Sequence, residues 1–282
     1  MSSGDLRYMK QSNNSIKAKK SGVSYTISAV IMTATVLTLT LVAWSYANQI
    51  LEQERGATEF DVAMQSMLSF DDAFENIAWK PQSSRSARFI LDYGQLELEP
   101  NVDLTVDVTE YPGANYSSST GYLKYNIKTK YVTFGDGYQS EFLGNEDLIS
   151  NGAGSYGKGL LSQNSGWVSM TLFYGIKAMK TSTLIPTTGG VPVHTVDIWI
   201  VEMNTTEQIE SFTELDLEAK CLSVITTTMA NGGDGFNIDA SGGCTVSVQL
   251  GEYIDEIFID LDGAEGDKVV FNFVVTSVQV NI

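Results

Sequence analysis

From Ser21 to Leu51 the chain carries no charged side chain. A helix in a soluble domain keeps a polar face toward water, and so long a neutral run leaves none. A membrane span needs about 20 apolar residues to cross a hydrocarbon core of about 30 Å. As a helix, residues 23–51 reach about 43 Å at about 1.5 Å per residue, long enough with some to spare. Thr26, Thr33, Thr35, Thr38 and Thr40 interrupt the apolar run. Their hydroxyls can bond to carbonyls one turn back, which makes them tolerable in lipid. Lys17, Lys19 and Lys20 precede the stretch, and Glu52 and Glu54 follow it. Basic residues stay on the cytoplasmic side, so the N-terminus is expected inside and the C-terminus outside. Trp44 and Tyr46 fall near the outer end, where amphipathic rings favour the interface. A secretory signal peptide has an apolar region of about 7–15 residues and a small-residue cleavage site after it. Here the run is about twice that and passes directly into a second helical pattern, so removal of the apolar segment is not expected.

Charge is divided along the same line. Residues 1–22 hold five basic side chains against Asp5, a net of +4, so the remaining residues carry −21 of the chain's −17. An acidic body repels phosphates, which argues against DNA or RNA as a partner. Hydrophobic residues make up 43%, enough to build a core and too many for a disordered chain.

The stretch Lys19-Lys20-Ser21-Gly22-Val23-Ser24, running into Tyr25-Thr26-Ile27-Ser28-Ala29-Val30, resembles the class III signal of archaeal type IV pilins and pilin-like proteins. The resemblance spans residues 17–47. It implies cleavage by a prepilin peptidase between Gly22 and Val23, with the apolar segment kept and 260 of the 282 residues left. It also implies an assembly motor and platform, and copies of this chain or related pilins, as partners. One departure stands out: bacterial pilins have glutamate at the fifth mature position, which is Ile27 here. The alternative is an uncleaved single-pass anchor. Small residues four apart, Ala29/Thr33, Ala34/Thr38 and Ala43/Ala47, permit close helix approach, so self-packing in a filament core is an available use of this segment.

After Gly56 the pattern turns amphipathic. Phe60, Ala63, Met64, Met67, Phe70, Phe74 and Ile77 recur at spacings of three and four, one apolar helix face. Glu59, Asp61, Asp71, Asp72 and Glu75 fall mostly elsewhere on the helix. Trp79-Lys80-Pro81 ends the helix, since proline disfavours helix at the residue before it. Residues 23–79 read as one long helix, or as two with a bend at Gly56, because mid-helix glycine costs about 1 kcal/mol relative to alanine.

Beyond residue 82 the period changes. Alternation is clear in Leu104–Val108 and Tyr122–Ile127, and β-favouring runs cover 88–98, 102–109, 122–134, 167–173, 195–203, 245–250, 254–261 and 269–282. Glycine-rich breakers separate them. A short helix is expected within 207–230, giving way to strand at the β-branched run Val224–Thr228. The expected fold class is α+β: a cytoplasmic basic leader (1–22), a long helix (23–80) with a transmembrane segment (23–51), and an extracellular all-β, sandwich-like domain (81–282).

Candidate sites are few. Zinc needs several His or Cys ligands, and the chain has His194, Cys221 and Cys244 alone. No G-x-S-x-G accompanies His194. Residues 152–157 fit G-x-G-x-x-G but lack a βαβ context, so a surface loop is expected there. Cys221 and Cys244 form a disulfide or remain two buried thiols; outside the cell a bond would stabilise by about 3 kcal/mol. Asn115-Tyr116-Ser117 and Asn204-Thr205-Thr206 are outer glycosylation sequons, whereas Asn13 lies on the leader. Asp260, Asp262 and Asp267 crowd one turn and offer a weak calcium possibility, with solvated charges as the plainer reading. No cofactor is implied. The expected role is a non-enzymatic pilin-like surface protein, with an outward domain for adhesion or a surface coat. The rivals are an anchored binding module that never polymerises and an anchored hydrolase using paired carboxylates.

Overall fold

The computed structural model describes residues 18–282 apart from 145–146, 152–154, 187–189, 206–207, 212–213, 233 and 240–241; in 18–24, 209 and 211 the backbone alone is described. One helix, α1 (Ala18–Ala78), is followed by a body built mostly of strands, an α+β chain. Two compact units divide at Gln53/Glu54, inside α1, so the second part of the helix belongs with the strands.

In the first unit α1 is exposed from Tyr25 through Ala47. Val30, Leu41 and Trp44 each keep about two-thirds of their surface. The threonines behave as expected: the hydroxyls of Thr33, Thr35, Thr38 and Thr40 each donate to the carbonyl four residues back, at 2.8–2.9 Å. Each polar group is thereby satisfied within the helix.

In the second unit the expected apolar face is buried. Phe60, Ala63, Met67, Phe70, Phe74 and Ile77 all lie in the core. α1 runs unbroken through Gly56, the single-helix alternative. Gly56 is needed there: a Cβ would lie 2.6 Å from the Tyr131 ring. The acidic residues of α1 divide between core and surface. Glu59 and Asp71 are buried, whereas Asp61 and Asp72 are exposed.

The strands form two sheets. The first contains β1 (Ser84–Phe89), β5 (Ile149–Ser150), β8 (Ile176–Leu184), β9 (Val193–Asn204), β11 (Leu215–Met229), β12 (Phe236–Asn237) and β15 (Lys268–Asn281). Its order is β1-β11-β15-β9-β8-β5, with β12 also on β15. The long β9–β15 pair is parallel. The second sheet contains β2 (Gln95–Val108), β3 (Asn115–Lys128), β4 (Gln139–Leu143), β6 (Gly157–Asn164), β7 (Trp167–Tyr174), β10 (Ile209–Ser211), β13 (Gly243–Leu250) and β14 (Tyr253–Asp260). Its order is β14-β13-β2-β3-β7-β6-β4, with β10 also on β2. The helix expected within 207–230 is replaced by β10 and the 15-residue β11, in which Leu215, Leu217, Ala219 and Cys221 face inward and Asp216, Glu218 and Lys220 outward.

Both sheets contribute to each of two cores. In one, β2 and β13 residues such as Val106 and Val246 meet Ile198 and Phe271 of β9 and β15. In the other, the buried face of α1 meets Leu123, Tyr125 and Met170 from the second sheet and Leu217 and Val280 from the first. Phe74 stacks on Tyr174 with ring centroids 3.9 Å apart. Burying such aromatic area dominates the energetics of a core this size.

Candidate functional site

The described structure separates most of the sites read from the sequence. Lys19, Lys20, Gly22 and Val23 fall in the first turns of α1, where the backbone alone is described, and Lys17 lies outside the described residues. The small residues Ala29, Thr33, Ala34, Thr38, Ala43 and Ala47 are all exposed, so that face of α1 is uncovered.

Cys221 and Cys244 are not bonded to each other. Each is buried, Cys221 in the core that includes α1 and Cys244 in the other. The Cys221 thiol donates to the Ala78 carbonyl at 3.3 Å, near the end of α1. Burial pushes both thiols up, Cys244 to about 12 with Glu110 adding to the effect. Such thiols are inert, because the thiolate is the reactive form. Thiol titration should therefore find both cysteines unreactive in the folded protein and both reactive after denaturation. A folded protein with one or two rapidly reacting thiols would contradict the assignment.

The acidic turn does not converge on an ion site. Asp260 Oδ1 accepts from the Asp262 amide at 2.8 Å, Asp262 pairs with Lys180 at 3.1 Å, and Asp267 accepts from the Ala264 amide at 2.9 Å. Asp267 also lies 3.4 Å from His194 Nε2, and Thr183 Oγ1 lies 3.1 Å from His194 Nδ1. No group of three or more His, Cys, Asp or Glu fit to hold a metal occurs among the described residues. The calcium reading therefore gives way to local turn bonds. His194 is buried and serves as a pin between β8, β9 and the turn before β15.

Asn115 is exposed at the start of β3. Asn204 is less free, because its amide nitrogen donates to Ser277 Oγ at 2.8 Å. Of the G-x-G-x-x-G stretch, 152–154 lie outside the described residues. Gly157 opens β6, where a Cβ would meet Asp71 Oδ1 at 2.0 Å, so this glycine is a packing requirement and not part of a surface loop.

A groove of about 710 Å³ lies on the outer face of the second sheet and was not anticipated. That volume is within the range of about 300–1,000 Å³ common for small-molecule sites. Strand registers build it. Gln95, Asn126, Ser169 and Ser162 form one rung across β2, β3, β7 and β6. Glu97, Lys124 and Thr171 form the next. Trp167 stands at one end of β7; Tyr122, Phe173 and Tyr253 stand toward the other. Phe173 and Tyr253 are stacked at 5.8 Å, which ties the β13–β14 hairpin to the groove. No family model, curated protein or solved structure matches the chain.

The groove is chemically mixed. The Ser169 hydroxyl donates to Asn126 Oδ1 at 2.6 Å, which leaves the Asn126 NH2 group as donor. Lys128 Nζ lies 5.6 Å from the Trp167 ring centroid, a cation–π contact at the groove's end. A strand's outward residues alternate with its core residues, so the two rungs were present in the sequence as polar positions. What the sequence lacked was the register that aligns them.

Proposed function

We propose that the chain is a type IV pilin-like surface protein, held in the cell membrane by the first part of α1 and displaying a sandwich-like domain outside. The observation that carries this reading is the uncovered, uncharged apolar run of α1 from Tyr25 to Leu51. It is long and apolar enough to cross a membrane, and none of its most apolar stretch is buried within the protein. Exposed apolar area on this scale does not persist in water; it marks a membrane or partner surface. The internal bonding of its threonines supports lipid or a packed helix bundle equally.

In the filament form, the same run leaves lipid and packs against copies of itself or related pilins through Ala29, Thr33, Ala34, Thr38, Ala43 and Ala47. Heterologous contacts that do not close make filaments. The basic leader through Gly22 is removed by a prepilin peptidase, and the exposed Asn115 is the better placed of the two glycosylation sequons.

Two measurements test this. The mature protein isolated from cell membranes should begin at Val23, a loss of residues 1–22 alone by intact mass. Electron microscopy of producing cells should show filaments that react with antibody to the β body. An intact N-terminus would remove the pilin reading and leave an anchor. Cleaved protein confined to the membrane fraction, with no filaments, would favour a non-polymerising binding module, for which the groove is a specific argument.

A further inference from the structure

We propose that the groove on the second sheet binds a neutral oligosaccharide. This gives the adhesion role a chemistry, and it stands on the β body alone, whatever α1 does.

Sugar hydroxyls both donate and accept, so a glycan site needs both kinds of partner in a row, held rigidly. The groove supplies this. Gln95 and Asn126 bring amides, Ser162 and Thr171 hydroxyls, Glu97 a carboxylate and Lys124 an ammonium. Among the described residues, the side chains of Gln95, Lys124, Ser162 and Thr171 have no hydrogen-bond partner within the protein. Asn126 is 8% exposed, yet keeps its NH2 group for a donor role. These groups sit on central strands of a sheet, so little ordering cost remains when they bind.

The second requirement is a flat apolar surface for the C–H face of a sugar ring. Trp167 and Tyr253 are 37% and 54% exposed and lie at opposite ends. Trp167 and Phe173, which carries Tyr253, are six residues apart on β7, about 20 Å at about 3.3 Å per residue. Aromatic platforms separated by a polar floor fit an extended chain of rings better than a compact molecule. An aromatic body offers large contact area at low entropic cost.

Other occupants fit less well. A phosphate or acidic glycan meets a groove lined by Glu97 and Glu252 as well as Lys124, within a chain of net charge −17. An extended peptide pairs with a sheet edge, whereas this groove lies across a sheet face. An acyl chain would leave the polar rungs unpaired and desolvated, at a cost of about 1–3 kcal/mol per group.

The test is calorimetric titration of the full-length chain in micelles of a sugar-free detergent with maltohexaose, cellohexaose, chitohexaose and mannohexaose. Saturable binding of at least one is expected, with Kd in the range of about 10 μM to 1 mM. Trp167→Ala and Tyr253→Ala should each weaken it at least tenfold, with the circular dichroism spectrum unchanged, since both side chains lie at the surface. Lys124→Ala should weaken it less. Absence of saturable binding at about 1 mM for all four sugars overturns the proposal. So does equal binding by the Trp167→Ala/Tyr253→Ala double variant, or a preference for a hyaluronan hexasaccharide over all four. Filaments that bind no sugar would sink this inference and spare the pilin reading; sugar binding by a protein that forms none would do the reverse.

Discussion

Glu59→Ala is expected to destabilise the β body by about 4–6 kcal/mol and to lower its unfolding temperature by roughly 10–20 °C. Glu59 projects from α1 into the turn between β1 and β2 and is 8% exposed. Its Oε2 accepts from the amides of Asp92 and Tyr93 at 2.7 and 2.8 Å. Its Oε1 accepts from the Gly94 amide at 2.7 Å and the Tyr125 hydroxyl at 3.0 Å. One carboxylate thus satisfies three backbone donors of a turn that has left the sheet ladder, and one buried phenol. Burial, then the Glu59 charge, drives the Tyr125 hydroxyl far above its ordinary range, so it stays a donor at every working pH. Gly94 is part of the same device, because a Cβ there would lie 2.2 Å from the Tyr125 oxygen. Alanine at 59 orphans four donors together, and each buried orphan costs about 1–3 kcal/mol. Glu59→Gln keeps the shape but turns an NH2 group toward amide N–H bonds, so about half the loss is expected. Tyr125→Phe removes one bond and should cost about 1 kcal/mol. Urea unfolding of the full-length chain in micelles reads all three. A loss under about 1 kcal/mol for Glu59→Ala would mean that water replaces the carboxylate at no cost, and the clamp would be rejected.

That clamp shows where sequence reading stops. The apolar face of α1 was legible, because Phe60, Met67, Phe70, Phe74 and Ile77 repeat at helical spacing and all are buried. The helical period places Glu59 only off the apolar face, and its backbone partners lie 33–35 residues away on a turn whose approach no local pattern records. Most long strands overlap an expected run, but 88–98 breaks at the turn 90–94 between β1 and β2, and β8 lay in no expected run. β6 was missed, since Gly157, Lys158 and Gly159 look like a turn; Phe142 and Asp71 press on the two glycines and require them. β11 was half missed, since its outward Asp216, Glu218 and Lys220 suit a helix, and only the period of two among Leu215, Leu217, Ala219 and Cys221 betrays the strand. The groove was invisible for a different reason. Gln95, Asn126, Ser162 and Ser169 come from four strands, and sequence alone does not fix the three registers that bring them onto one rung.

Asp71→Asn is expected to remove most of the Asp71-linked fall in stability expected of the native chain as pH rises from about 4 to about 7. Asp71 lies on the buried side of α1, 5% exposed, against Gly157 of β6. Its Oδ1 is buried with no hydrogen-bond partner among the described residues. Burial is the largest influence on its carboxyl, followed by the negative charges of Glu75 and Asp72, and together they push it up to about 7. The Ser155 and Tyr174 hydroxyls favour the charged form by less; Ser155 Oγ already donates to Glu75. In the unfolded chain an aspartate titrates near 4. Between these values the folded protein holds a proton that the unfolded chain has released. Stability then falls as pH rises through the window, and stays reduced above it. The full effect is on the order of 3 kcal/mol, about 1.4 kcal/mol for each unit between the two values, lessened by local relaxation. Asparagine supplies the neutral shape at every pH. At pH 8 the variant should be more stable than the native chain by about 2–3 kcal/mol, and near pH 4 the two should coincide. Urea unfolding at pH 4.5, 6 and 8 decides it: parallel pH profiles for the two proteins would place the charge of Asp71 in water, and the buried carboxyl would have to be abandoned.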